Sequence, residues 1–151
     1  MKVNYSPSGD IFTANLDALV NPVNTVGVMG KGLALEFKKQ YPKNYEIYRQ
    51  QCASGQAFFG GDVMDWSENG VTILNVATKE HWRDPSQLSF IEKGLKNIKR
   101  KCTDFELKKL GMPKIGCGLG GLSWQEVCPM ILSTFEDMPD DFELTLFGEE
   151  L

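Results

Sequence analysis

The chain reads as an α/β fold, a mixed and largely parallel sheet with helices on both faces. Three observations predict it. Continuous β-branched runs such as VTILNVAT suit strands covered on both sides, the segments between them carry one apolar face at helical spacing, and the two kinds alternate along the sequence. The 151 residues fit a single domain, residues 1–151, and their 42% apolar and 24% charged composition is that of a chain able to bury one core.

The elements follow in order. KVNYS (2–6) alternates loosely and is expected at a sheet edge, while DALVNPV (17–23) is a central strand. Leu33, Ala34, Phe37 and Tyr41 then fall on one helical face, and a second helix is expected over Asn44 to Ala53. GGDVMDW (60–66) reads as an edge or antiparallel strand, and VTILNVAT (71–78) as a buried central one. Leu88, Ile91, Leu95, Ile98 and Cys102 mark the next helix, with Asp84-Pro85 offering a cap and a first-turn proline that place its start near 85. LGMPKIG (110–116) is a short central strand. Ser123-Trp124-Gln125-Glu126 fits a capping box at the head of a helix bearing Val127, Cys128, Ile131, Leu132 and Phe135, and FELTLF (142–147) closes the sheet.

Charge and composition exclude several classes. A net charge of −4 and a pI near 5.0 argue against a broad basic surface gripping many phosphates of a duplex. The first ten residues, MKVNYSPSGD, lack an apolar signal region, and no apolar run approaches the ~18 residues of a membrane span, so a cytoplasmic protein without membrane contact is expected. Cys52, Cys102, Cys117 and Cys128 form no CxxC pair and His81 is the lone histidine, so no metal site is expected and the thiols read as reduced and mostly buried.

Two glycine-rich loops, Gly27 to Gly32 and Gly116 to Gly121, each run from an expected strand into an expected helix. Glycine permits close backbone approach and positive φ, and a helix start offers unpaired N–H groups, so two such loops on one sheet edge can hold a diphosphate from both sides. A side chain at Gly118 or Gly120 is therefore expected to obstruct the ligand while leaving the core packed. VGVMGKGL is not a P-loop: its glycines are too closely spaced, and Gly32 stands where a magnesium-binding hydroxyl is needed. Gly116, Gly118 and Gly121 satisfy GxGxxG, but only about thirty residues follow, too few for a dinucleotide-binding unit.

Four segments taken together, SGDIF (8–12), ALVNPVNTVGVMGKGLALEFKKQYP (18–42), NVATKEHWRDPS (75–86) and IGCGLGGLSW (115–124), resemble the macrodomain, a three-layer α/β/α module that binds ADP-ribose. Within that superfamily NTVGVMGKGLALEFK, ATKEHWR and GCGLGGLSW are similar to the DarG type, antitoxins that remove ADP-ribose from thymidine in single-stranded DNA after modification by DarT toxins. The resemblance implies a metal-independent ADP-ribosyl glycohydrolase with no cofactor, ADP-ribose being ligand or product, and a DarT-like transferase as partner. A non-catalytic ADP-ribose reader and an ADP-ribose 1″-phosphate phosphatase are the alternatives.

The same resemblance implies the roles of individual residues. Asp10 accepts from the adenine amine, with Ile11 supporting that end. Asn21 faces the distal ribose, and Asn24 braces its loop. Gly27, Gly30 and Gly32 approach the distal ribose and diphosphate, Gly116, Cys117, Gly118, Gly120 and Gly121 close from the other side, and Val28, Met29 and Leu119 cover the ligand. Lys79 acts on the anomeric carbon, either by attacking the opened sugar or by assisting water. Its place at the end of an apolar strand is expected to desolvate the amine partly, and a neutral amine is a nucleophile or a base. His81, Trp82 and Arg83 stand beside it as contacts for a base and a phosphate. Related lysine-using enzymes that act on acidic protein side chains carry an aspartate where this chain has Gly120, so the resemblance favours the DNA-directed type.

Overall fold

A computed structural model describes residues Met1–Leu151. Its six strands, β1 (Lys2–Tyr5), β2 (Ala18–Val23), β3 (Val63–Glu68), β4 (Val71–Ala77), β5 (Lys109–Met112) and β6 (Glu143–Leu146), form one sheet in the order β1-β6-β5-β2-β4-β3. All neighbours are parallel except β3, which joins β4 antiparallel at the edge. The loosely alternating GGDVMDW segment thus takes the antiparallel place expected of it, and KVNYS the opposite edge.

Helices α1 (Gly32–Gln40) and α2 (Pro42–Ala53) cover one face. The longer α3 (Leu88–Asp104) and α4 (Trp124–Phe135) pack together on the other. Strand parity divides the interior accordingly. Ala18, Val20, Leu74 and Val76 point toward α3 and α4, where Ile91, Leu95, Ile98, Val127, Ile131 and Phe135 complete the largest apolar cluster. On the other face Leu19 and Ile73 pack with Ile11, Phe37 and Tyr41, while Val23 and Ala77 pack with Met29, Tyr48, Phe58 and Met64. Both faces of the central strands are buried, which is why their sequences are largely apolar, Asn21 and Asn75 being the buried exceptions.

Pro113 ends β5 early, and the expected strand over 110–116 stops at Met112. The start of α3 also differs from expectation. Asp84 does not cap it: its carboxylate accepts the His81 N–H at 3.2 Å, and Asp84 N–H bonds the His81 carbonyl, closing a turn upstream. The next donors are committed to distant acceptors, Ser86 N–H to the Gly120 carbonyl and Gln87 N–H to the Thr78 carbonyl, so the chain stays extended at Gln87 (φ −115°, ψ 133°) and turns helical only at Leu88. Pro85 is therefore a loop residue. The thiols are all free, with Cys102 and Cys128 buried and Cys52 and Cys117 half-buried. No helix is long and apolar enough to cross a membrane.

The capping box of α4 forms as its sequence predicts, Ser123 Oγ accepting from Glu126 N–H at 3.2 Å and the Glu126 carboxylate accepting from Ser123 N–H. Ser123→Ala should lower unfolding free energy by about 1 kcal/mol, as N-cap removal commonly does. Urea denaturation, read as a lower midpoint at unchanged m-value, is the check.

Candidate functional site

The sheet order builds a crevice. From β2 the chain moves through α1 and α2 to β3 and β4 on one side; from β4 it passes back over β2, through α3, to β5 on the other. Adjacent β2 and β5 are therefore a switch point, where ligands enter α/β folds beyond the carboxyl ends of the strands. They share only the Ala18↔Leu110 and Leu19↔Gly111 rungs, whereas β2 stays paired with β4 to Val23↔Ala77. Pro22, which has no N–H to offer, lies past the last rung shared with β5. The loop after β2 is the first glycine loop, and the loop after β5 is the second.

The first loop is anchored by one amide. Asn24 Oδ1 accepts from the N–H groups of Val26, Gly27 and Val28 at 3.1, 3.2 and 3.3 Å, and its Nδ2 donates to the Val28 carbonyl at 2.8 Å. The buried Tyr48 hydroxyl, from α2, lies 2.8 Å from both the Asn24 carbonyl oxygen and Oδ1. Burial holds the Tyr48 phenol far above its ordinary range, so it remains a neutral donor. Asn24 thus braces the loop, as expected, and its bonding capacity is spent there. Gly27 (φ +92°) and Gly32 (φ +58°) occupy backbone conformations that other residues resist. Beyond Val28 the constraint ends: the N–H groups of Gly30, Lys31, Gly32 and Leu33 donate to no backbone group, and Lys31 caps α1 without a side-chain bond.

The second loop is a 3-10 turn at Gly118–Gly120 flanked by Gly116 (φ +75°) and Gly121 (φ +84°). Gly118 and Leu119 keep unpaired backbone N–H groups. The two helix starts are not alike, however. The α1 start is open, whereas the capping box of Ser123 and Glu126 puts a carboxylate at the start of α4, so an anion is favoured at α1 over α4. The exposed Leu119 reaches across to the first loop, its Cδ1 only 3.3 Å from where a Cβ of Gly32 would stand. Val28 and Leu119 are exposed on the rim, while Met29 is buried in the core beneath it.

The remaining expected residues lie in the segments that follow β1 and β4. Lys79 lies two residues past the end of β4 and is half-buried, with no carboxylate oxygen within 4.0 Å of its amine. Glu80 fixes the neighbouring backbone, its carbonyl accepting from both Thr25 N–H and Oγ1 at 2.9 Å. Asp10 is exposed and caps its own turn, Oδ1 accepting from Phe12 N–H at 2.9 Å; Ile11 belongs to the core. Arg83 lies over the Trp82 ring at 4.5 Å and His81 tilts against that ring at 5.1 Å. Burial pushes the Cys117 thiol up, so this loop cysteine is no thiolate nucleophile near neutral pH.

Asn21 is wholly buried, and its Oδ1 is the one buried side-chain nitrogen or oxygen without a hydrogen-bond partner. Its Nδ2 donates to Asn75 Oδ1 at 3.0 Å. Asn75, Asn44, Tyr48, Thr78 and Ser86 were not singled out in sequence. The signal available for Asn75 was a polar residue inside an apolar run, matched by Asn21 inside another.

A Macro domain family model matches residues 20–131. The chain belongs to the macrodomain family. It is 40% identical over 136 residues to a DNA ADP-ribosyl glycohydrolase of Mycobacterium tuberculosis, covering 88% of this chain and 39% of that protein. The chain thus spans about two-fifths of the length of that curated relative. The solved macrodomain of Mycobacterium tuberculosis DarG superposes with a TM-score of 0.89 at 36% identity, covering 95% of this chain and 96% of that one. Thermosipho africanus DarTG, solved in complex with ADP-ribose, gives a TM-score of 0.87 at 29% identity over 100% of this macrodomain and 43% of that chain.

Gly120 departs from expectation. A Cβ there would stand 2.4 Å from the buried Ser86 Oγ, so the missing side chain serves packing, whereas at Gly118 nothing lies within 4 Å and only the positive φ (+62°) opposes substitution. Gly118→Ala should therefore cost about 1 kcal/mol, and Gly120→Ala about 1–3 kcal/mol. Ser86→Gly should recover most of the second loss. Chemical denaturation of the three variants and the double variant checks the order.

Proposed function

We propose that this macrodomain hydrolyses the N-glycosidic bond between ADP-ribose and a thymine base in single-stranded DNA. The observation that carries the reading is Lys79 itself, half-buried and free of carboxylate partners, just past β4 at the sheet edge from which both loops with unpaired N–H groups emerge. Similarity to DarG macrodomains along nearly the full chain supports it. The diphosphate would lie between the loops, bonded by N–H groups from both, with its charge nearest the open start of α1. Asp10 retains a carboxylate oxygen for the adenine amine. Asn21 meets the distal ribose, and Lys79 acts on its anomeric carbon.

Hydrolysis breaks the bond from that carbon to the base nitrogen, water supplying hydroxyl to carbon and a proton to nitrogen. The chain's own groups supply the chemistry in this reading, with ADP-ribose as product. Arg83, stacked on Trp82, offers an outer guanidinium plane on which an exposed base can lie and a charge for one phosphate. A DarT-like transferase is the partner whose product this reaction removes. The 151 residues act as one module in it.

Lys79→Ala should abolish release of unmodified strand from a thymidine-ADP-ribosylated oligonucleotide, while ADP-ribose affinity by calorimetry stays within about tenfold, or ~1.4 kcal/mol. Full turnover in the variant rejects the lysine mechanism. A parent that binds ADP-ribose but releases neither DNA nor protein substrate is a reader module instead.

A further inference from the structure

Between the two apolar clusters on the α1 and α2 face runs a polar seam. Asn21 and Asn75 are register partners in β2 and β4, placed between the Leu19↔Ile73 and Val23↔Ala77 rungs, and Asn44 of α2 closes over them; all three are fully buried. Every hydrogen-bonding valence of Asn75 is used. Its Nδ2 donates to the Met64 main-chain carbonyl at 3.0 Å and to Asn44 Oδ1 at 2.8 Å, and its Oδ1 accepts from Asn21 Nδ2 at 3.0 Å and Asn44 Nδ2 at 3.1 Å.

The seam has a direction. A main-chain carbonyl only accepts, and Met64 is held opposite Asn75 by the antiparallel β3–β4 register, so the amine end of Asn75 must face it. Reversing the amide would oppose two carbonyl oxygens without water to separate them, leaving two buried acceptors unpaired. The oxygen of Asn75 therefore faces Asn21, which must answer with its amine. The second contact of that amine is Met29 Sδ at 4.0 Å, and Asn21 Oδ1 remains as a pure acceptor with no protein partner.

We propose that Asn75, oriented by the Met64 carbonyl and Asn44, is a positioning residue that fixes the Asn21 amide so that it meets a ligand only as a hydrogen-bond acceptor. The site then selects a hydroxyl at this point and rejects an ether, carbonyl or phosphate oxygen, which would face Oδ1 acceptor to acceptor. This rests on the reading that ADP-ribose occupies the crevice, whose distal ribose supplies such hydroxyls. Because Asn21 is covered, the hydroxyl reaches it as the first loop yields at Met29 to Gly32, the stretch that Asn24 does not bond.

The test compares ADP-ribose with ADP, which lacks the distal ribose, on the parent, Asn21→Ala, and Asn44→Leu/Asn75→Leu, where an apolar pair replaces the amide pair. Asn21→Ala and the leucine pair should each weaken ADP-ribose about tenfold and leave ADP unchanged, and combining them should add nothing, since both act through one amide. Loss of ADP-ribose affinity in Asn21→Ala with none in a folded leucine pair overturns the positioning role. Parent-like ADP-ribose binding by Asn21→Ala instead overturns the occupancy of the crevice on which the proposal rests. Nuclear magnetic resonance of the parent gives an answer that needs no variant. The through-bond coupling from Asn21 Nδ2 to the Asn75 side-chain carbonyl should persist when ADP-ribose saturates the protein; its loss on binding would mean that the amide turns, and the proposal fails.

Discussion

The pairing of β2 with β4 is the constraint on which the remainder depends. Six consecutive parallel rungs, Ala18↔Thr72 to Val23↔Ala77, hold the two strands together to their carboxyl ends, while the partnership of β2 with β5 stops after two. That asymmetry opens the crevice on one side of β2 and keeps Lys79 close on the other. Parallel strands all finish at one edge, so both glycine loops and the lysine must emerge there. The backbone continues the ladder for a short distance, Thr78 N–H to the Val23 carbonyl and Thr25 N–H to the Glu80 carbonyl, which ties the first loop to the lysine segment directly.

The first loop is two loops mechanically. Asn24 fastens its proximal half, Val26 to Val28, and Tyr48 fastens Asn24 to α2, so motion there requires breaking several buried hydrogen bonds at once. The distal half, through Gly30 to Gly32, has no such ties and ends on an uncapped helix. Local opening free energy follows the density of bonds and burial, so a low-cost hinge lies beside a stiff anchor.

Much of this architecture was legible in the sequence because its signals are local. The apolar faces of α3 and α4 repeat every three or four residues, the Ser123 box spans four, and the glycine loops announce themselves between strand-like and helix-like runs. Asp84-Pro85 carried an equally local signal and misled, since Ser86 and Gln87 N–H groups bond carbonyls at Gly120 and Thr78, contacts that no window around residue 85 contains. The asparagine seam was illegible for the same reason: it joins residues 31 and 54 positions apart, and only strand register reveals that Asn21 and Asn75 are opposite each other. Asn24 and Lys79 were reached through family resemblance, Asn24 with its bracing role already in view. The packing role of Gly120 was not, because Ser86 lies on another segment of the chain.

The tight seat of Gly120 against Ser86 bears on how such modules diversify. Related enzymes that act on acidic protein side chains place an aspartate at this point of the loop, yet in this chain the space its Cβ would need is already taken by a buried hydroxyl that also bonds Thr78 Oγ1 at 3.4 Å. Acquiring that carboxylate by a single replacement would unseat Ser86 before any new chemistry could be gained. Positions 86 and 120 are therefore coupled, and a side chain at 120 is accommodated more readily once the serine has shrunk. A loop position that is free to vary on paper is held in this molecule by an epistatic constraint from a distant segment of the chain.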